Sequence, residues 1–136
     1  MIVVDANVIA YALIQGDKTG VARSLRSHDP DWRVPRLWRY EFANILATFL
    51  LTKGLAPDPA TRILQEALAT FSGAEEDPDP ADALSLAASH RITAYDAQYM
   101  ALAKHLKVRL VTEDTGLQRA FRGIAVSMQS FLGLSA

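Results

Sequence analysis

The chain opens Met1-Ile2-Val3-Val4-Asp5-Ala6-Asn7, a strand running straight into a helix. Ile2-Val3-Val4 is a short β-branched run, the composition of a strand. Asp5 follows at once, and residues 6–14 then read as a helix with Asp5 in N-cap position. Residues 18–27 read as a second helix, Asp29-Pro30-Asp31 as a turn, and residues 33–35 as a very short extended piece. Residues 37–53 form a strong helix ended by Gly54, a usual residue just past a helix end. Residues 59–71 are another helix with Asp58 as its expected cap. The acidic, proline-rich residues 75–79 break the pattern and have room for one weak edge strand. Helices at 81–90 and 95–106, a strand at 108–111, a helix at 115–122 and a last short strand at 124–126 complete the chain.

Short apolar strands alternating with helices predict an α/β fold around a parallel sheet. In such sheets ligands bind beyond the carboxyl ends of the strands. Asp5 and Asp114 both stand there, each just after an apolar run and just before a helix.

Half of the 136 residues are hydrophobic and 21% are charged, the balance of a folded globular chain large enough for one core. Cysteine is absent, which excludes disulfides, thiolate metal sites and cysteine nucleophiles, and fits a reducing cytoplasm. No basic, apolar leader precedes Asp5, and the most apolar stretch, 42–51, is shorter than a membrane span of about 20 residues. A soluble, cytoplasmic protein without membrane contact is therefore expected. The formal net charge of −1 does not announce a nucleic-acid binder, although ten of the fourteen basic residues are arginine, the better residue for bidentate phosphate contacts.

Four acids invite a common role. Taken singly, Asp5 and Asp114 suit caps, Thr93-Ala94-Tyr95-Asp96 has capping-box spacing, and Glu41 lies near a helix start where the dipole welcomes an anion. Glu41 is the hardest to explain locally. Residues 42–51 are apolar nearly all round, so the helix is expected to be buried, and Glu41, Asn44 and Thr48 share one of its faces. An ionised Glu on a buried helix needs a partner or a metal. Carboxylates that converge without bases repel one another, a problem a divalent cation removes; all-oxygen ligation selects Mg²⁺ or Mn²⁺. His28, His90 and His105 are scattered singly and offer no alternative ligand set.

Asp5-Ala6-Asn7 at the start, a helical Glu41, Leu84-Ser85-Leu86-Ala87-Ala88 leading into Thr93-Ala94-Tyr95-Asp96-Ala97-Gln98-Tyr99-Met100-Ala101, and Leu110-Val111-Thr112-Glu113-Asp114-Thr115-Gly116-Leu117 come in the order of a known pattern. Together they resemble a PIN domain, specifically the toxin of a VapBC toxin–antitoxin pair, over essentially the whole chain as one domain, residues 1–136. The resemblance implies a three-layer α/β/α sandwich with a central parallel sheet, a homodimer, Mg²⁺ or Mn²⁺, a cognate antitoxin and endonucleolytic cleavage of RNA. Matched residue by residue, it gives Asp5, Glu41, Asp96 and Asp114 as catalytic, metal-holding acids, with Asn7 and Thr112 in support. Residues 75–79 depart from it, since the family often has a clearer strand there.

Arg36 and Arg39 are candidates for RNA phosphate contacts, with a solvated helix start as their ordinary reading. Side chains alternate along a strand, so Thr112 and Asp114 share an orientation and Glu113 is expected to point away. Three other readings compete: a receiver-like Mg-binding signalling module, a PIN-like protein that binds without cutting, and a housekeeping RNA-processing nuclease. The four lysines do not follow strand ends as the first would require, and the four acids argue against the second.

Overall fold

In the computed structural model, which describes residues 1–134, β1 (Ile2–Val4) is buried along its length and its side chains serve two cores. Ile2 and Val4 enter one and Val3 the other, the alternation expected of a strand covered on both faces. The same division continues through the sheet. Leu110 of β3 (Leu110–Val111) joins Val3 while Val111 joins Val4, and Ala125 and Val126 of β4 (Ala125–Val126) split likewise. Trp32 of β2 (Trp32–Arg33) enters the first core.

All pairing is parallel, in the order β2-β1-β3-β4. Ile2 faces Trp32, Val3 faces Leu110, and Leu110 faces Ala125 in register. From β1 the chain moves to β2 on one side, then crosses to β3 on the other. The order therefore reverses between β1 and β3, where a crevice opens beyond the strand ends.

The first core is roofed by α1 (Ala6–Leu13), α2 (Thr19–His28), α3 (Trp38–Thr52), α4 (Pro57–Phe71) and the short α8 (Met128–Phe131), through residues such as Ile9, Leu25, Trp38, Phe42 and Phe71. The second is roofed by α6 (Ala94–Leu106) and α7 (Thr115–Ala120), through Tyr99, Met100, Leu102 and Leu117. Against α6 lies α5 (Pro80–His90), where Ala83, Ala97 and Ala101 allow close approach. The result is the expected three-layer α/β/α arrangement.

Three expectations change. The weak edge strand shrinks to a single parallel bridge between Val34 and Glu75; Pro78 and Pro80 lack the donors that a longer ladder needs. The cap of α4 is not Asp58: the helix starts at Pro57, whose fixed φ suits a first turn, and Asp58 falls inside it. Most consequentially, α3 is not buried all round. Only Trp38, Phe42 and Leu46, spaced four apart, are buried, because one stripe meets the core; Asn44, Thr48 and Leu51 are exposed. Among the described residues, no helix is long and apolar enough to cross a membrane.

Candidate active site

Each of the four acids is held by its own segment for local reasons. Asp5 caps α1, its Oδ1 accepting the Val8 N–H at 3.0 Å. Its Oδ2 accepts the Thr112 hydroxyl at 2.5 Å, a bond that ties the end of β1 to the end of β3. Thr112 is fully buried, and its hydroxyl oxygen in turn accepts the Asp114 N–H at 3.1 Å. Asp114 caps α7 through its Oδ1, 2.9 Å from the Leu117 nitrogen. Glu41, in the first turn of α3, accepts the Tyr99 hydroxyl at 2.6 Å. Asp96 lies in the first turn of α6, where its N–H donates to Thr93 Oγ1 at 3.1 Å.

Two strand ends and two helix starts thus converge on one cleft of about 720 Å³, lined by Asp5, Glu41, Asp96 and Asp114 together with Asn7. Lys18 is the one cation lining it among the described residues, and its ammonium already lies 3.6 Å from Glu113.

The acids feel one another. Burial, with the charges of Glu41 and Asp96 adding to it, pushes the Asp5 carboxyl up to about 6, against the opposing bonds from Thr112 and Val8. Glu41 is raised by burial and then by Asp96, with Tyr99 opposing. Asp96 is raised by burial and then by Asp114. Tyr99 is pushed well above the ordinary phenol range by burial and by Glu41, so it stays a neutral donor. A chain of repulsion therefore links all four carboxylates.

A family model described as the PIN domain matches residues 2–122. The chain belongs to the PIN-domain family. This PIN domain is 33% identical over 126 residues to Ribonuclease VapC3 of Pyrobaculum aerophilum, covering 88% of this chain and 94% of that protein. Among solved structures it is similar to PAE2754 from Pyrobaculum aerophilum, with a TM-score of 0.76 and 26% identity over 97% of this chain and 93% of that one. It also shares its fold with FitAcB from Neisseria gonorrhoeae, with a TM-score of 0.66 and 23% identity over 94% and 98% of the two chains.

The remaining sequence-based candidates are distributed unevenly in this PIN domain. Asn7 lines the cleft, and Thr112 acts from behind it through Asp5. Arg36 and Arg39 do not line it. The Arg39 guanidinium grips both oxygens of Glu75, and its Nη2 lies 2.6 Å from Oε1. Arg36 donates its backbone N–H to Asp77 at 2.7 Å, while its side chain stays largely exposed. Glu113 does not turn away as expected. It lines the same cleft, because its carboxylate accepts the Met128 N–H at the start of α8, a helix that the sequence reading missed. Also missed was Tyr99 as the partner of Glu41. The available signal was its place three residues after Asp96, on the same face of α6. His28, His90 and His105 lie outside the cleft lining.

Among the described residues, no three His, Asp or Glu side chains are gathered tightly enough to enclose an ion directly. The donors present are all hard oxygens spread around an open cleft, and Mg²⁺ retains several waters rather than demanding a closed protein cage. The residues fit a hydrated hard cation and would not suit zinc.

Proposed function

We propose that this chain is a Mg²⁺- or Mn²⁺-dependent endoribonuclease, the toxin of a VapBC-type pair, with Asp5, Glu41, Asp96 and Asp114 holding the cation. The observation that carries the reading is the convergence of four mutually repelling carboxylates on one cleft whose only lining cation, among the described residues, is already engaged. Kinship with a protein named Ribonuclease VapC3 supports the substrate class and the toxin role. A cation held by these four acids would supply a water ionised near neutral pH and charge stabilisation for the leaving oxygen of a phosphodiester, with 5′-phosphate and 3′-hydroxyl ends expected.

The chain's own groups supply position. Thr112 and the Val8 N–H fix both oxygens of Asp5, and Tyr99 orients Glu41 by one oxygen. Asp114 spends Oδ1 on its helix cap. Glu113 serves α8 and Lys18, so Asp114 is the fourth site acid and its neighbour is a structural one. Asn7, exposed at the cleft, is placed to hold a water. Arg36 lies 3.9 Å from Asp77 in a largely exposed pair that a phosphate would have to displace, whereas Arg39 is held by Glu75. A cytoplasmic homodimer neutralised by an antitoxin completes the proposal.

Purified protein incubated with RNA should cut only with Mg²⁺ or Mn²⁺ and stop with EDTA. Asp5→Asn and Asp96→Asn should each slow cleavage by at least about 100-fold, the scale of several kcal/mol of lost charge stabilisation. Full activity of both variants would refute the assignment.

A further inference from the structure

Two of the four acids are directly preceded by a tyrosine at the start of a helix: Tyr40-Glu41 in α3 and Tyr95-Asp96 in α6. Both tyrosines line the acidic cleft, and both are conspicuously solvent-facing, Tyr40 at 73% exposed and Tyr95 at 64%. Neither makes a side-chain hydrogen bond or ring contact among the described residues, in contrast with Tyr99, which is buried and bonded to Glu41. A large aromatic group left in water contributes little to folding, so packing does not account for either ring. Their distribution is also telling. The cleft floor is carboxylate and repels a polyanion, so an RNA held there needs attraction that does not come from charge on the floor. Aromatic faces at the lips supply it, because every base has a π-face and stacking tolerates any sequence.

We infer that Tyr40 and Tyr95 are stacking platforms that receive unpaired bases on either side of the phosphate bound at the acids. This deepens the nuclease reading and rests on it for the position of the phosphate. Bases in a duplex are stacked on one another and cannot present their faces to the two rings, so paired RNA is excluded by geometry. The neighbouring acid of each tyrosine then lies one residue from the stacked base, which couples base capture to placement of the scissile group.

The test is binding in EDTA, where cutting is absent. The probe is a single-stranded RNA of about ten nucleotides carrying 2-aminopurine, together with the same strand annealed to its complement. The unaltered protein should quench the single strand and bind it at least about tenfold more tightly than the duplex. Tyr40→Ala and Tyr95→Ala should each weaken binding by roughly 5- to 100-fold and reduce the quench, the range of base–aromatic stacking, while Tyr40→Phe and Tyr95→Phe should retain both. Absence of quenching, equal affinity for the duplex, or unchanged binding by both alanine variants would overturn the inference. Loss of binding in the phenylalanine variants as well would also overturn it, since the hydroxyl and not the ring would then be responsible. Adding Mn²⁺ afterwards tests the nuclease reading separately: quenching without cleavage would defeat that reading and leave the stacking intact.

Discussion

Asp5 is subject to two opposed demands. Burial and the charges of Glu41 and Asp96 push its carboxyl up to about 6, so the folded chain keeps it protonated to a higher pH than the unfolded chain, where an Asp titrates near 4. The sign follows from linkage: the stabilisation is fully present below the unfolded pKa and is lost as pH rises through about 6. Metal-free protein should accordingly melt higher at pH 5 than at pH 7.5, by an amount on the order of 1–3 kcal/mol, and Mn²⁺ should restore stability at the higher pH. Asp5→Asn should raise the metal-free melting temperature at pH 7.5 while nearly abolishing cleavage, since Asn keeps the cap and removes the repulsion. Calorimetric scans at the two pH values check this, and a lower melting temperature for the variant would contradict it. Side by side, Asp114→Asn should cost far more activity than Glu113→Gln. The latter should chiefly lower stability, because Glu113 holds the α8 start and Lys18.

At the scale of elements, the bond from Thr112 to Asp5 joins the two central strands at the point where the sheet order reverses. Thr112→Val removes it at nearly constant volume and should reduce Mn²⁺ affinity and cleavage by roughly 10- to 100-fold, as loss of a ligand's supporting partner does. Thr112→Ser, which keeps the hydroxyl, should recover most of that loss in the same assays. At the β2 edge of the sheet, Glu75 accepts from both the Arg39 guanidinium and the Trp38 indole N–H, the latter at 2.9 Å, fixing the start of α3 there. Glu75→Ala leaves the buried indole without a partner and should destabilise the fold by about 1–3 kcal/mol, measurable by urea unfolding. Elements of this kind were unevenly legible. Ile2-Val3-Val4, the strong helix at 37–53 and the caps at Asp5, Thr93 and Asp114 follow from local pattern and capping chemistry. The Arg39–Glu75 grip joins residues 36 apart in sequence, and Glu113 found its partner on a four-residue helix with no periodic signature. Long-range pairing leaves no local trace, which is why Arg39 read as a phosphate ligand.

For the molecule as a whole, the candidate site was legible because the acids mark strand ends and helix starts, positions that a parallel sheet gathers at one edge. What local pattern could not give was how deeply α3 would be buried. Its outward end leaves Leu51 85% exposed beside the exposed Leu50, and the proposed homodimer would cover such a surface. Light scattering should report a dimer that Leu50→Glu with Leu51→Glu converts to monomer; a wild-type monomer would refute that part of the proposal. The central claim, that one cation is shared by the cleft's acids, is tested most directly by calorimetric titration of the metal-free protein with Mn²⁺ at pH 7.5, repeated with Asp5→Asn and Asp96→Asn. The unaltered protein should give a binding heat, and the affinity should fall by at least about tenfold in either variant. Absence of binding, or equal affinity in all three proteins, would contradict it.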